Sequence, residues 1–181
     1  RVQPGAVLDN LNAELRPHGL WFPPDVATSA QACIGGMIGN NSAGSHSVVH
    51  GMTTDHVLEL DVLLSDGAEL TLRPLNAGEF ESITANGEPA GRIYREIRTI
   101  VDEHRDEIQQ RFPKLMRRVS GYALDRLMAT GDAFDLCKLI VGSEGTLAII
   151  LEAKISVLPL ARHKALTVAH FASLADSVAW V

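Results

Sequence analysis

Four glycines fall within eleven residues, Ile34-Gly35-Gly36-Met37-Ile38-Gly39-Asn40-Asn41-Ser42-Ala43-Gly44, and no other stretch restricts the fold as much. Glycine loses more conformational freedom on folding than any other residue, so this density needs a backbone reason. One reason is plain punctuation or tight packing. The other is close approach of main-chain N–H groups to a ligand. N–H groups converging at the mouth of a helix bind an anion, typically phosphate. Asn40 and Asn41 add side-chain amides that can donate or accept.

Two familiar phosphate loops do not fit. A dinucleotide loop needs G-x-G-x-x-G between a strand and a helix. Gly35-Gly36-x-x-Gly39 breaks that spacing, and Pro23-Pro24-Asp25-Val26-Ala27 is no buried strand. No Gly-Lys-Ser/Thr follows, so a P-loop is excluded too. The net charge of -6 disfavours a phosphate backbone as partner, which excludes most nucleic-acid binders. Cys33 and Cys137 stand far apart in sequence, outside any C-x-x-C pair, so a metal or iron–sulfur site within the chain has little support. Cytosolic thiols are the default for such cysteines. No apolar run is long enough to cross a bilayer.

Periodicity outlines the elements. Val7, Leu8, Leu11 and Leu15 predict a helix over about Ala6 to His18, closed by Gly19. Val57 to Leu64 reads as a strand, Ser65-Asp66-Gly67 as a hairpin turn, and Glu69 to Leu72 as its return. Asn76 is placed to cap a short helix. One long helix is predicted from about Arg92 to Phe112, stopped by Pro113. A short helix follows near Leu124-Met128. Leu136 to Val141 reads as a strand, Thr146 to Leu158 as a long alternating run, and Ala165 to Phe171 as a further strand. Ser173 to Val181 has helical spacing. Hairpins and helices mix without a βαβ rhythm, so the expected class is α+β, with a mixed or antiparallel sheet flanked by helices. Both ends read as cut: Arg1-Val2-Gln3 resembles the end of a strand, and the last helix stops in mid-pattern.

A second glycine segment, Val141-Gly142-Ser143-Glu144-Gly145-Thr146-Leu147, reads either as a hairpin loop with glycines at positive φ or as a backbone clamp passing under a flat ligand. His46, His50 and His56 lie close together. The pair His46/His50 suits a metal only on a helix, and the neighbouring glycines argue against one, so no metal ligand is expected here.

Pro24-Asp25-x-x-Thr28-Ser29, Ile34-Gly35-Gly36, Asn40, Gly44, Gly51, Asp66-Gly67 and Gly142-Ser143-Glu144-Gly145-Thr146, taken together, resemble the FAD-linked oxidases of the vanillyl-alcohol oxidase type. The likeness runs from Arg1 to about Leu160. It is strongest to the group of D-lactate dehydrogenase, glycolate oxidase and D-2-hydroxyglutarate dehydrogenase. Arg111-Phe112-Pro113-Lys114 through Arg117-Arg118-Val119-Ser120-Gly121-Tyr122-Ala123-Leu124 resembles members fused to an iron–sulfur region.

The resemblance implies that residues 1–160 form the second part of an FAD-binding domain, and 161–181 the truncated start of a substrate domain. It implies FAD as cofactor, with Pro24, Asp25, Thr28 and Ser29 along the pyrophosphate and ribityl, and Gly35 and Gly36 near the diphosphate. Asn40, Gly44 and Ser45 would line the cleft, and Glu144, Gly145 and Ile149 would lie by the adenosine or ribityl part. With one wall of the cleft, this chain alone is expected to hold no FAD. The implied parent is an enzyme oxidising a D-2-hydroxy acid to a 2-oxo acid, with electrons passing to an iron–sulfur region of the same chain or to another acceptor. It would be cytoplasmic or peripheral to the inner membrane. Arg118 and Tyr122 are candidates for holding the acid's carboxylate, because a guanidinium fork matches two oxygens. The general base is expected beyond Val181. Gly44-Ser45-His46-Ser47 looks like the histidine site of relatives with covalent FAD, but that attachment belongs to the other subdomain. A non-catalytic nucleotide- or phosphate-binding α+β module is the alternative.

Overall fold

The computed structural model describes residues 1–128, 133–163 and 165–180. Two antiparallel sheets and a set of mostly short helices share one apolar core, the α+β class that the pattern predicts. The main sheet has three strands in the order β3-β2-β4, with β2 at Val57–Leu63, β3 at Glu69–Leu72 and β4 at Ile149–Ile155. A second sheet pairs β1 (Leu20–Trp21) with β5 (Leu158–Pro159). Val2 bridges Ala153 on the outer side of β4 through two backbone bonds of 2.8 and 2.9 Å. Arg1 reaches Glu59, Asp61 and Glu152 from there.

The hairpin β2–β3 follows from alternation plus turn chemistry. Gly67 takes φ 85° and the Asp66 carboxylate accepts the Ala68 N–H at 3.0 Å. Leu60 and Val62, both 0% exposed, point to one face, and the helices close over it. Helix α1 (Leu8–Leu15) ends in a 3-10 turn and Gly19 at φ 69°. After α2 (Ile34–Gly39), α3 (Ser47–His50) and α4 (Thr53–His56), α5 (Ala77–Ala85) starts at Asn76 with a capping box. Asn76 accepts from the Glu79 N–H, and Glu79 accepts from the Asn76 N–H, both at 3.0 Å.

Three expectations need correction. The single helix over Arg92 to Phe112 is two: α6 (Pro89–Glu103) and α7 (Arg105–Arg111), parted at His104 with φ -106° and ψ 18°. Burial of Val101 and Ile108 keeps one apolar period running across the break, which hides it from the sequence. The expected strand Leu136 to Val141 is instead a helical turn, α9 (Cys137–Ile140), which follows α8 (Leu124–Met128). The Asp135 carboxylate accepts the Cys137 N–H at 2.9 Å and starts that turn. A short apolar run does not distinguish strand from helix by period. Residues 165–170 form no ladder with any described residue, although α10 (Leu174–Trp180) is helical as expected. Leu166 there is 91% exposed.

Candidate functional site

The two glycine segments, about a hundred residues apart in sequence, meet through the backbone. The N–H of Gly142 donates to Ile38 and the N–H of Glu144 donates to Gly39, each at 2.9 Å. Both acceptors are carbonyls at the end of α2, which a helix leaves unpaired. The 142–145 loop therefore caps the glycine helix. It leads from α9 into β4 and is no hairpin between strands. Gly142 and Gly145 take φ 90° and 75°, and Glu144 itself is left-handed at 53°. A non-glycine residue there is uncommon.

The glycines of the first segment divide into two kinds. A Cβ on Gly44 would lie 1.4 Å from the carbonyl oxygen of Asp25, and one on Gly35 would lie 2.5 Å from Cβ of Pro4. These two admit the protein's own backbone. The N–H groups of Ile34 and Gly35 are also taken, by the carbonyls of Ala6 and Pro4 at 2.9 and 2.8 Å. The mouth of α2 is thus partly satisfied within the chain. Gly36 differs: it is exposed and a Cβ there would meet nothing within 4 Å. Asn40, one turn on, is exposed beside it, and Gly145 is open as well. Ile34, Met37 and Ile38 anchor the opposite side of the helix in the core. The outcome is a surface open at Gly36 and Gly145, with the exposed Asn40 and Glu144 at its border.

Asp25 fixes the turn that follows this segment at Gly44 to His46. Its carboxylate accepts from the Ser45 hydroxyl at 2.7 Å and the His46 N–H at 2.9 Å, and pairs with Nδ1 of His46 at 2.9 Å. Partial burial pushes this carboxyl up. The Ser45 hydroxyl, the His46 N–H and the His46 ring together outweigh that and hold it below the ordinary range. Pro24 is buried, Thr28 exposed and Ser29 half-buried, in the turn leading to α2. Ile149 opens β4 with 63% exposure. Pro24, Asp25, Gly44 and Ser45 thus gather in one group, and Asn40, Glu144 and Gly145 in another.

Segment 113–123 lies across this junction. Arg117 donates to Ala43 at 3.3 Å, and the amide of Asn41 donates to the Arg118 carbonyl at 3.5 Å. The Thr146 hydroxyl gives its proton to the Ser143 carbonyl at 2.6 Å, so the Tyr122 hydroxyl is the donor in their 2.9 Å contact. Arg118 sits over the Phe112 ring at 4.7 Å and pairs with Asp125, so its fork is already engaged. A cleft of about 320 Å³ opens under it, lined among others by Phe112, Lys114 and Leu115. Asn41 is the residue that the sequence undervalues. It is 4% exposed at φ 49°, and its side chain also accepts the Thr54 N–H at 3.0 Å. Asparagine tolerates the left-handed region, and that was the available signal.

Helix α3 overturns the expectation of loop histidines. The His50 N–H donates to the His46 carbonyl at 2.9 Å, which makes one α-helical turn. Gly44 N–H to Ser47 Oγ at 3.0 Å and the Asp25 contacts stabilise its start. His56 is structural: buried, its Nε2 donates to the His50 carbonyl at 2.7 Å and its Nδ1 meets Ser156 at 3.0 Å. Among the described residues no helix is long and apolar enough to cross a membrane.

A family described as FAD binding domain matches residues 1–73, which contain α2 and the Asp25 staple. The chain is 43% identical over 161 residues to D-2-hydroxyglutarate dehydrogenase of Pantoea ananatis, covering 88% of this chain and 16% of that protein. It is 39% identical to the protein of the same name from Pseudomonas putida, covering 98% and 18%. Glycolate oxidase subunit GlcD of Bacillus subtilis is 28% identical, covering 87% and 23%. Residues 1–73 thus carry the pattern of an FAD-binding domain, whose cofactor is FAD, and most of the chain is similar to FAD-linked oxidases. It spans about a sixth of the length of the two dehydrogenases.

The residues present fit one side of that cofactor. A flat aromatic and diphosphate ligand needs a surface without projecting side chains, and Gly36 and Gly145 provide one, with Asn40 at its border.

Proposed function

We propose that residues 1–160 supply one wall of an FAD cleft in an oxidoreductase that converts a D-2-hydroxy acid to its 2-oxo acid. The observation that carries this is the junction of α2 with the 142–145 loop, which leaves Gly36, Asn40 and Gly145 facing outward together. FAD, when bound, supplies the hydride acceptor. The chain's own part is to position and to exclude water. Backbone at Gly36 and Gly145 permits close contact, while Gly35 acts by seating α2 on Pro4. Asn40 and Glu144 border the surface; Pro24, Asp25, Thr28, Ser29, Gly44 and Ser45 contribute from the turns before and after α2, and Ile149 extends the surface along β4. Identity to three D-2-hydroxyglutarate dehydrogenases at 38–43% supports the substrate class.

In this reading Arg118 and Tyr122 flank the entrance, and residues 161–181 begin a substrate domain that brings the general base. Electrons leave to an iron–sulfur region, and the enzyme works in the cytoplasm or at the inner membrane's periphery. The test is an absorbance spectrum of the full-length protein under anaerobic conditions. The flavin band should bleach on adding D-2-hydroxyglutarate, D-lactate or glycolate; no bleaching by any of the three rejects the proposed reaction.

A further inference from the structure

His46 and His50 stand one helical turn apart on α3, with ring centres 6.4 Å apart. The side chain of His46 is 60% exposed. Asp25 holds its Nδ1 at 2.9 Å, so the free ring nitrogen is Nε2, directed away from the carboxylate. Such a carboxylate–imidazole pair fixes the tautomer and the orientation of the ring. The His50 ring has no hydrogen-bond partner among the described residues. The indole of Trp21 packs edge-on against both rings, at 5.9 and 5.4 Å between centres.

We propose that His46 and His50 chelate a divalent transition-metal cation of the copper or zinc class, with Asp25 as the residue that orients the first imidazole. Two imidazoles four residues apart on a helix present nitrogens to one ion, as in helical zinc motifs. Metal–nitrogen bonds of about 2.0–2.1 Å draw the rings slightly closer than they stand. Rotation of the unrestrained His50 side chain supplies that approach. No group of three candidate ligands occurs among the described residues, so water completes the coordination. Imidazole suits copper and zinc, and the general affinity order places copper(II) above zinc. The site adjoins the group of Pro24, Asp25, Gly44 and Ser45, and its two imidazoles belong to none of the residues assigned to FAD.

Trp21 reports on the site directly. The sequence has two tryptophans, so Trp180→Phe leaves Trp21 as the single indole emitter. In untagged Trp180→Phe protein, copper(II) titration should quench Trp21 in a saturable curve, and non-quenching zinc(II) should compete. Adding His50→Gln, which removes no hydrogen bond of the ring, should abolish the saturable phase. Adding Asp25→Asn should weaken it about tenfold or more, the usual cost of losing a carboxylate behind a ligating histidine. Should Asp25→Asn fail to fold, the His50→Gln comparison decides alone. Absence of quenching, or quenching unchanged by His50→Gln, overturns the proposal.

Discussion

Gly36→Ala and Gly44→Ala are the same chemical change, eight positions apart in one segment, yet the structure separates them. At Gly36 the added methyl meets nothing within 4 Å and the residue lies inside α2. Alanine is favoured over glycine within a helix by about 0.8–1.0 kcal/mol, so the variant should be more stable by up to about that amount. At Gly44 the methyl would sit 1.4 Å from the Asp25 carbonyl oxygen. Backbone must move and the Asp25 staple with it, costing about 1–3 kcal/mol or more. Urea unfolding measures both. Flavin affinity should order differently. If FAD lies on the smooth face, the Gly36 methyl intrudes on it, and an overpacking cost of about 1–3 kcal/mol means roughly 5- to 150-fold weaker binding in the full-length enzyme. Flavin fluorescence during titration of the apoprotein reads this. A Gly36→Ala enzyme that is stabilised and binds FAD as tightly as the parent refutes the placement of the cofactor on this face.

Three further outcomes are expected. The Asp25 carboxyl is held below its ordinary value of 3.8 in the folded state, so the unfolded chain takes up that proton first. Its contribution is present at neutral pH and is lost as pH falls through and below 3.8; Asp25→Asn should therefore show less change in urea midpoint between about pH 7 and about pH 3 than the parent. Arg118→Met should raise KM for the hydroxy acid in the full-length enzyme, and unchanged KM with lower thermal stability would leave Arg118 only its contacts with Phe112 and Asp125. Asn76→Ala removes the capping box of α5 and should cost about 1 kcal/mol by urea unfolding, with no effect on flavin binding.

Much of this fold is legible in the sequence because its signals are local. The hairpin turn at Asp66-Gly67, the capping box at Asn76 and Glu79, and the alternation of β4 each depend on residues within a few positions. The turn at Cys137–Ile140 is not legible, since four apolar residues carry no period and the Asp135 bond that starts it competes with extended structure. The break at His104 is hidden because neither glycine nor proline marks it. For the site, the glycine clusters are visible but their division is not. Gly35 and Gly44 face Pro4 and Asp25, and Gly36 faces outward, and only tertiary contacts distinguish them. The helix bearing His46 and His50 escaped notice because Asp25, twenty-one residues upstream of His46, fixes its first turn.

The two hydrogen bonds joining the end of α2 to the 142–145 loop also bear on how the molecule assembles. They close a loop of about a hundred residues, an entropic cost on the order of 4 kcal/mol before any constant term. Contacts of such long sequence separation form slowly, after local hairpins and helices are in place. The smooth surface is therefore a late product of folding. A chain that stops between Asn41 and Gly145 would carry the α2 sequence yet lack the loop that caps it, and with it half of that surface.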